Sequence, residues 1–144
     1  MCSFVAPLRS QLPRFWFEEN STTILKDSAF YMRQGEGAAP AVLLNWVAEV
    51  MKDNPTTILG IYGYADSQEA RPDSISLARA MTIRDSLVLR GYPVSRFKLE
   101  ALGASSPLID SLTIDRMATD EERQSARQEN RRVHLSIIDW NWKP

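Results

Sequence analysis

Residues 56–62, TTILGIY, constrain the fold of this chain more than any other segment. They form an unbroken run of β-branched and apolar residues that has the length of one strand. Such a run is typical of a strand covered on both sides rather than of an exposed edge. The Asp-Asn-Pro sequence just before it ends any preceding helix. The run therefore predicts a central strand around which the other elements pack.

Helical periodicity on both sides of this run predicts two helices. In residues 39–52, Pro40 suits a first helical turn, and the apolar residues that follow recur at helical spacing. After a polar, turn-rich loop over residues 63–72, Asp73 or Ser74 is expected to cap a second amphipathic helix. That helix is expected to end near Arg90, with Gly91 as its C-terminal cap.

Three further strands are predicted, at residues 14–18, 97–102 and 133–138, while residues 22–33 are ambiguous. Residues 105–129 form a polar connection with helix-forming residues but no apolar stripe, and are expected to be a surface insertion. The order is β-α-β-α-β-(insertion)-β. The predicted fold class is therefore α/β (α+β), a two-layer sandwich with a mixed four-stranded sheet and helices on one face.

Composition favours one domain and excludes several kinds of partner. The chain has 144 residues, 44% of them hydrophobic, and a formal net charge of −1. Residues 14–140 are expected to form the domain, after a lead at 1–13 and before a tail at 141–144. Without a net basic field, neither nucleic acid nor an anionic membrane surface is an expected partner.

Catalytic and metal chemistry find little support in the residue types. The chain has one cysteine, Cys2, and one histidine, His134, so neither an internal disulfide nor a structural zinc site is expected. No phosphate-binding or dinucleotide-binding glycine pattern is present. We expect no enzyme activity, no metal and no cofactor.

The N-terminus leaves two interpretations open. No apolar stretch approaches the roughly 20 residues that span a bilayer. Cys2 directly follows Met1, so it is either the acylated first residue of a mature bacterial lipoprotein or simply the point where this chain begins. Any membrane association is expected only through such an anchor.

Four short motifs in a fixed order carry a resemblance to a known family. They are residues 63–66 (GYAD), 75–80 (ISLARA), 103–107 (GASSP) and 130–133 (NRRV). They resemble the G-H-T-D, L-S-x-x-R-A, G-x-x-x-P and N-R-R-V motifs of the OmpA-like family, which includes peptidoglycan-associated lipoproteins and flagellar stator subunits. The resemblance covers residues 15–138, and four motifs at domain-scale spacing are specific where one would be weak.

The resemblance implies a binding site for meso-diaminopimelate in the peptidoglycan stem peptide. Carried over, Asp66 faces the ligand ammonium and Arg79 forks onto its carboxylate, which suits a zwitterionic ligand. Taken singly, Asp66 would be an ordinary turn residue and Arg79 an ordinary solvated helix residue. The motif order makes them the principal site residues, in a periplasmic domain that holds a cell-envelope protein to the wall.

Five further residues are implied as part of this pocket. Tyr64 and Ser67 are expected to shape it, Asn130 and Arg131 to flank it, and Asp73 to substitute for an Asn of the family pattern, which aligns with a proline here. The chain also departs from the pattern at Tyr64 and Ala65, where the family has His and Thr, at Ala104, where it has Glu, and in lacking a glycine shortly after Asp66.

Two alternative functions use the same fold. In the first, the domain is a protein-interaction scaffold, with peptidoglycan binding lost or altered and residues 105–129 as the surface for other envelope proteins. In the second, the domain binds the glycan, with Tyr64 stacking on a sugar. Replacement of Asp66 or Arg79 would abolish binding to the stem peptide, whereas a glycan site would fail on Tyr64→Ala.

Overall fold

The computed structural model describes residues 12–25 and 39–144. Cys2, most of the lead and part of the ambiguous segment lie outside those ranges. The elements, in chain order, are β1 (Phe15–Trp16), α1 (Pro40–Asp53), β2 (Ile58–Gly63), α2 (Pro72–Leu89), a 3-10 turn (Val94–Arg96), β3 (Phe97–Ala101), α3 (Ser111–Asp115), α4 (Asp120–Asn130) and β4 (Arg132–Asp139). Within these ranges, no helix combines the length and the apolarity needed to cross a membrane.

The four strands form one mixed sheet in the order β1-β4-β2-β3. β2 pairs in parallel with β3 and antiparallel with β4, and β1 pairs antiparallel with β4. The predicted central strand is confirmed, since β2 has a neighbour on each side. The strand added last in the sequence, β4, is also internal.

The predicted two-layer sandwich is confirmed. Alternate residues of β2 and β4, including Leu59, Ile61 and Leu135, are buried in one core with residues of α1 and α2. Val47 of α1 and Ile83 of α2 are both fully buried there. Burial of apolar surface stabilises a fold by about 25 cal/mol per Å². This helix-covered face is therefore the main source of stability.

One local prediction is wrong. Neither Asp73 nor Ser74 caps the second helix, because α2 already begins at Pro72 and its N-cap, Arg71, makes no side-chain capping hydrogen bond. The proline accounts for this early start, since it fits a first turn and has no N–H group that would need an acceptor. The C-terminal end is as predicted, with the helix ending at Leu89 and Gly91 at a φ of 104°.

Residues 105–129 are only partly a surface insertion. They contain α3 and most of α4, and α4 buries Ala126, Arg127 and Asn130. Helix α4 begins with a capping box between Thr119 and Glu122. α4 lacks an apolar stripe because the face that it turns inward is largely polar.

Gly63 brings β2 and α2 into close contact. A Cβ atom there would lie 1.9 Å from the carbonyl oxygen of Ser76, so only glycine fits at the end of β2. Gly103 is the second constrained position, with a φ of 54° and the Asp73 carboxylate beside it. These two glycines fix the edge of the sheet where the candidate site lies.

Candidate functional site

The loop over residues 64–70 leaves the carboxyl end of β2 and carries most of the predicted site. Its start is tied to the sheet by two main-chain hydrogen bonds, from Tyr64 N–H to the Arg132 carbonyl at 2.9 Å and from Ala65 N–H to the Gly103 carbonyl at 2.8 Å. Ligand sites in open α/β sheets commonly lie at such strand ends. The loop is therefore held on a rigid base.

Asp66 is buried, and both oxygens of its carboxylate accept hydrogen bonds. Asn130 Nδ2 donates to Oδ1 at 3.0 Å, and the Gln68 N–H donates to Oδ2 at 3.0 Å. Arg127 donates from its terminal nitrogen to both oxygens, at 3.2 and 3.5 Å. Only 2% of the Asp66 surface is exposed, so this carboxylate is buried together with its guanidinium partner.

Arg79 is the largest fully buried side chain in the described ranges. Three main-chain carbonyls orient its guanidinium: Nε donates to Ser21 at 3.0 Å, and the terminal nitrogens donate to Tyr64 at 3.2 Å and Glu18 at 3.0 Å. The guanidinium carbon also lies 5.4 Å from the centroid of the Phe17 ring. Arg79 is therefore held rigidly by the chain around it.

The charge partner of Arg79 is Glu69, a loop residue. Glu69 Oε1 accepts from Arg79 Nη1 at 2.7 Å and Oε2 accepts from Arg79 Nη2, so the pair is bidentate. Oε1 also accepts from the Asp66 N–H at 2.9 Å, and Oε2 from the Asn20 N–H at 2.7 Å. One carboxylate thereby links the Asp66 loop to the helix that carries Arg79.

Asn130 and Arg131 lie at the end of α4, beside Asp66. The Asn130 side-chain oxygen accepts from the N–H groups of Leu108 and Ile109, at 2.8 and 3.1 Å, so the amide orientation is set by its partners. Arg131 is 7% exposed and donates from Nε to the Phe17 carbonyl at 3.2 Å. Burial lowers the pKa of Arg131, and Glu69 opposes that shift.

Arg131 differs from Arg79 and Arg127 in its charge partners. Within the described ranges, Arg79 and Arg127 each pair with a carboxylate within 4 Å, and Arg131 does not. The buried charge cluster of Asp66, Glu69, Arg79, Arg127 and Arg131 therefore contains three guanidiniums and two carboxylates. Arg127 also faces the largely exposed Asp115 carboxylate at 3.7 Å, so Arg131 is the guanidinium of the cluster that favours an anionic group at this end of the sheet.

Tyr64 is half-buried and stacks with neighbours of its own chain. The guanidinium carbon of Arg132 lies 3.8 Å from the centroid of the Tyr64 ring, and the His134 ring lies 5.0 Å away. Arg132 also donates from Nε to His134 Nε2 at 2.9 Å. Because Arg132 covers one face of the tyrosine ring, that face is closed to a sugar.

Ser67 and Asp73 lie at the margin of the site. Ser67 is exposed, and its hydroxyl is 3.1 Å from that of Ser111 in α3. Asp73 is exposed beside Gly103, and its carbonyl accepts from the Ser76 hydroxyl at 2.9 Å. No contact in the described ranges joins Asp73 to Asp66 or Arg79. The fold thus gathers Asp66, Arg79, Asn130 and Arg131, and leaves Asp73 apart.

Sequence reasoning missed the two residues that neutralise the predicted pair, Glu69 and Arg127. The spacing of Arg127 and Asn130, three residues apart on a helix, placed them on one face and was an available signal. Nothing local indicated that Glu69 would turn inward. In the described ranges, no group of three or more His, Cys, Asp or Glu residues is arranged to hold a metal ion.

The sequence model of the OmpA family matches residues 16–123. The probable lipoprotein YiaD of Escherichia coli (strain K12) is 29% identical over 101 residues, which is 69% of this chain and 42% of that protein. The chain thus spans less than half the length of that curated relative.

Solved structures share the fold at low sequence identity. The peptidoglycan-associated lipoprotein from Burkholderia pseudomallei has a TM-score of 0.63 at 20% identity, covering 88% of this chain and 90% of that one. The cell wall anchor of the T6SS from Pseudomonas aeruginosa has a TM-score of 0.58 at 19% identity, covering 85% of this chain and 74% of that one.

Proposed function

The chain belongs to the OmpA family, and from that membership we propose that it binds peptidoglycan without catalysis, through the meso-diaminopimelate end of a stem peptide. In this role it anchors a cell-envelope protein to the wall in the periplasm. The names of two structural relatives, a peptidoglycan-associated lipoprotein and a cell wall anchor, support the general function. The choice of diaminopimelate as the ligand is argued from the residues of this chain.

The buried charge cluster is the observation that carries the proposal. A free diaminopimelate end presents an ammonium and a carboxylate together. Asp66 supplies the anion for the ammonium, while Arg79 and Arg131 supply guanidiniums for the carboxylate. The three side chains converge on one rigidly tied loop, which limits the ordering that binding requires.

Residues around the cluster have supporting roles. Asn130 orients Asp66, and Tyr64 with the loop over residues 67–70 forms the rim of the site. Each contact with the wall can be weak, because a protein held near a repetitive polymer gains from repeated attachment.

Calorimetric titration with a diaminopimelate-containing muropeptide tests the proposal. We expect the wild type to bind and Asp66→Ala to lose binding. Asp115→Ala is a matched control, since Asp115 faces the same Arg127 at 3.7 Å but has a side chain that is 65% exposed. Failure of the wild type to bind at millimolar muropeptide would reject the anchor function.

A scaffold function without peptidoglycan binding is the second candidate, and the Glu69–Arg79 pair favours it. The guanidinium assigned to the ligand already has a bidentate carboxylate partner in the chain itself. A scaffold would bind another envelope protein through residues such as those of α3 and α4, and would be indifferent to muropeptide. The same titration separates the two functions.

A further inference from the structure

The environment of Glu69 has the form of a complete receptor for one carboxylate. Each oxygen accepts one guanidinium N–H from Arg79 and one main-chain N–H, from Asp66 at 2.9 Å or from Asn20 at 2.7 Å. Four convergent donors surround a side chain that is 1% exposed. A planar, bidentate arrangement of this kind selects carboxylates over spherical anions.

Most of this receptor is held in place by contacts that do not involve Glu69. The carbonyls of Ser21, Tyr64 and Glu18 orient the Arg79 guanidinium, and the Phe17 ring lies beside it. Carbonyl groups fix the direction of a guanidinium but do not neutralise its charge. The receptor therefore keeps its shape and its need for an anion when the Glu69 carboxylate is elsewhere.

Glu69 itself lies in a loop whose neighbouring residues face solvent. Ser67, Gln68 and Ala70 are all exposed. A surface depression of about 310 Å³ adjoins the loop; it is lined by Asn20, Ala70, Arg71, Ser74, Ile75 and Ala78. Asn20 both lines this depression and donates to Glu69, so only a thin wall separates the receptor from solvent.

We propose that Glu69 is an internal competitor of the ligand: its carboxylate fills the receptor in the free protein, and the ligand carboxylate takes its place on binding. For the identity of the ligand, the inference rests on the proposed function. Glu69 thereby sets the affinity of the site, and the receptor selects carboxylates. Only molecules with Glu69 displaced can bind the ligand. The apparent affinity is therefore the intrinsic affinity multiplied by the fraction of such molecules.

The competing explanation is that Glu69 is a purely structural counter-ion. Chemical rescue tests whether the receptor accepts an external carboxylate, and the muropeptide affinity of Glu69→Gln then separates the two explanations. In Glu69→Ala, acetate is the probe for the vacated receptor. We expect sodium acetate, compared with sodium chloride at equal ionic strength, to raise the melting temperature of Glu69→Ala and to shift the amide resonances of Asn20 and Asp66. The wild type and Glu49→Ala, which removes an exposed carboxylate of α1, should show neither effect. Absence of rescue in a folded variant overturns the inference.

Glu69→Gln provides a second test if the alanine variant does not fold, because it keeps the size of the side chain and removes its charge. We expect this variant to bind the muropeptide about tenfold more tightly than the wild type, as when the competent fraction rises from about a tenth to nearly all molecules. Equal or weaker binding overturns the competitor role while leaving the proposed function intact. If acetate rescues Glu69→Ala but no variant binds the muropeptide, the carboxylate receptor is supported and diaminopimelate is rejected as its ligand.

Discussion

Arg127 on α4 donates to both carboxylate oxygens of Asp66, at 3.2 and 3.5 Å, across 61 positions of sequence. This ion pair joins the segment between β3 and β4 to the loop that follows β2. The segment is thereby part of the site, since its last helix supplies both the counter-ion and, through Asn130, an orienting amide for Asp66.

We predict that Arg127→Ala destabilises the fold by about 3 kcal/mol, because it leaves a buried carboxylate without its cation. Arg123→Ala is the matched control on the same helix. Its partner Asp120 is 90% exposed, so its loss should cost less than about 1 kcal/mol. Urea unfolding of both variants gives the comparison, and equal losses would contradict a special role for Arg127.

Arg79→Gln should be more damaging, with a loss of about 3–5 kcal/mol in unfolding free energy. The substitution leaves the buried Glu69 carboxylate without its guanidinium partner, and it removes donors to main-chain carbonyls near β1. Arg84→Gln, on the same helix, breaks an ion pair with an Asp85 side chain that is 61% exposed. If thermal and urea unfolding rank the two variants equally, the buried pair does not stabilise the fold.

The close contact between β2 and α2 should not tolerate a side chain at Gly63. Gly63→Ala forces a Cβ against the Ser76 carbonyl, and we expect a loss of about 1–3 kcal/mol, the range typical of overpacking. Gly60→Ala on the same strand meets the side-chain tips of Tyr62 and Ile138, which can rotate away. Denaturation of the two variants should therefore separate them, and a smaller effect at Gly63 would refute the close approach.

His134 should make stability depend on pH. Burial, followed by the charges of Arg132 and Arg14, lowers its pKa from 6.5 to about 3. The imidazole is then neutral in the folded protein and protonated in the unfolded chain below pH 6.5. Its contribution is complete above pH 6.5 and is lost progressively as the pH falls toward 3.

Two measurements check this behaviour. Unfolding free energy should fall by about 1 kcal/mol between pH 7 and 5.5 in the wild type, and this fall should be absent in His134→Phe. Since His134 is the only histidine, its imidazole resonances can be followed by NMR without assignment ambiguity. A midpoint near the unperturbed value of 6.5 would disprove the buried, neutral state.

Local sequence pattern was sufficient for the elements whose burial is regular along the chain. β2 and β4 were placed within two residues, β2 by its continuous apolar run and β4 by its alternating apolar residues. β1 is shorter than predicted, only Phe15–Trp16, although Phe17 still forms an isolated bridge with Ile24. Asn20, at a φ of 52°, turns the chain there, and a turn of this kind leaves little trace in periodicity.

Only the part of the candidate site that lies in the four motifs was predictable from the sequence. Asp66 and Arg79 were found from motif order, whereas the inward direction of Glu69 depends on Arg79 from a helix ten positions away and on the Asn20 N–H from 49 positions away. A charged loop residue is exposed by default unless a partner is brought to it. Only the assembled fold supplies that partner.

The position of β4 determines when the sheet can assemble. The strand synthesised last lies between β1 and β2, so the sheet has a gap at its centre until residues 132–139 are available. A chain still emerging from a ribosome can form α1, β2, α2 and β3 as a partial unit, but β1 has no strand to pair with. The complete sheet is therefore expected to form only once residues 132–139 have left the ribosome.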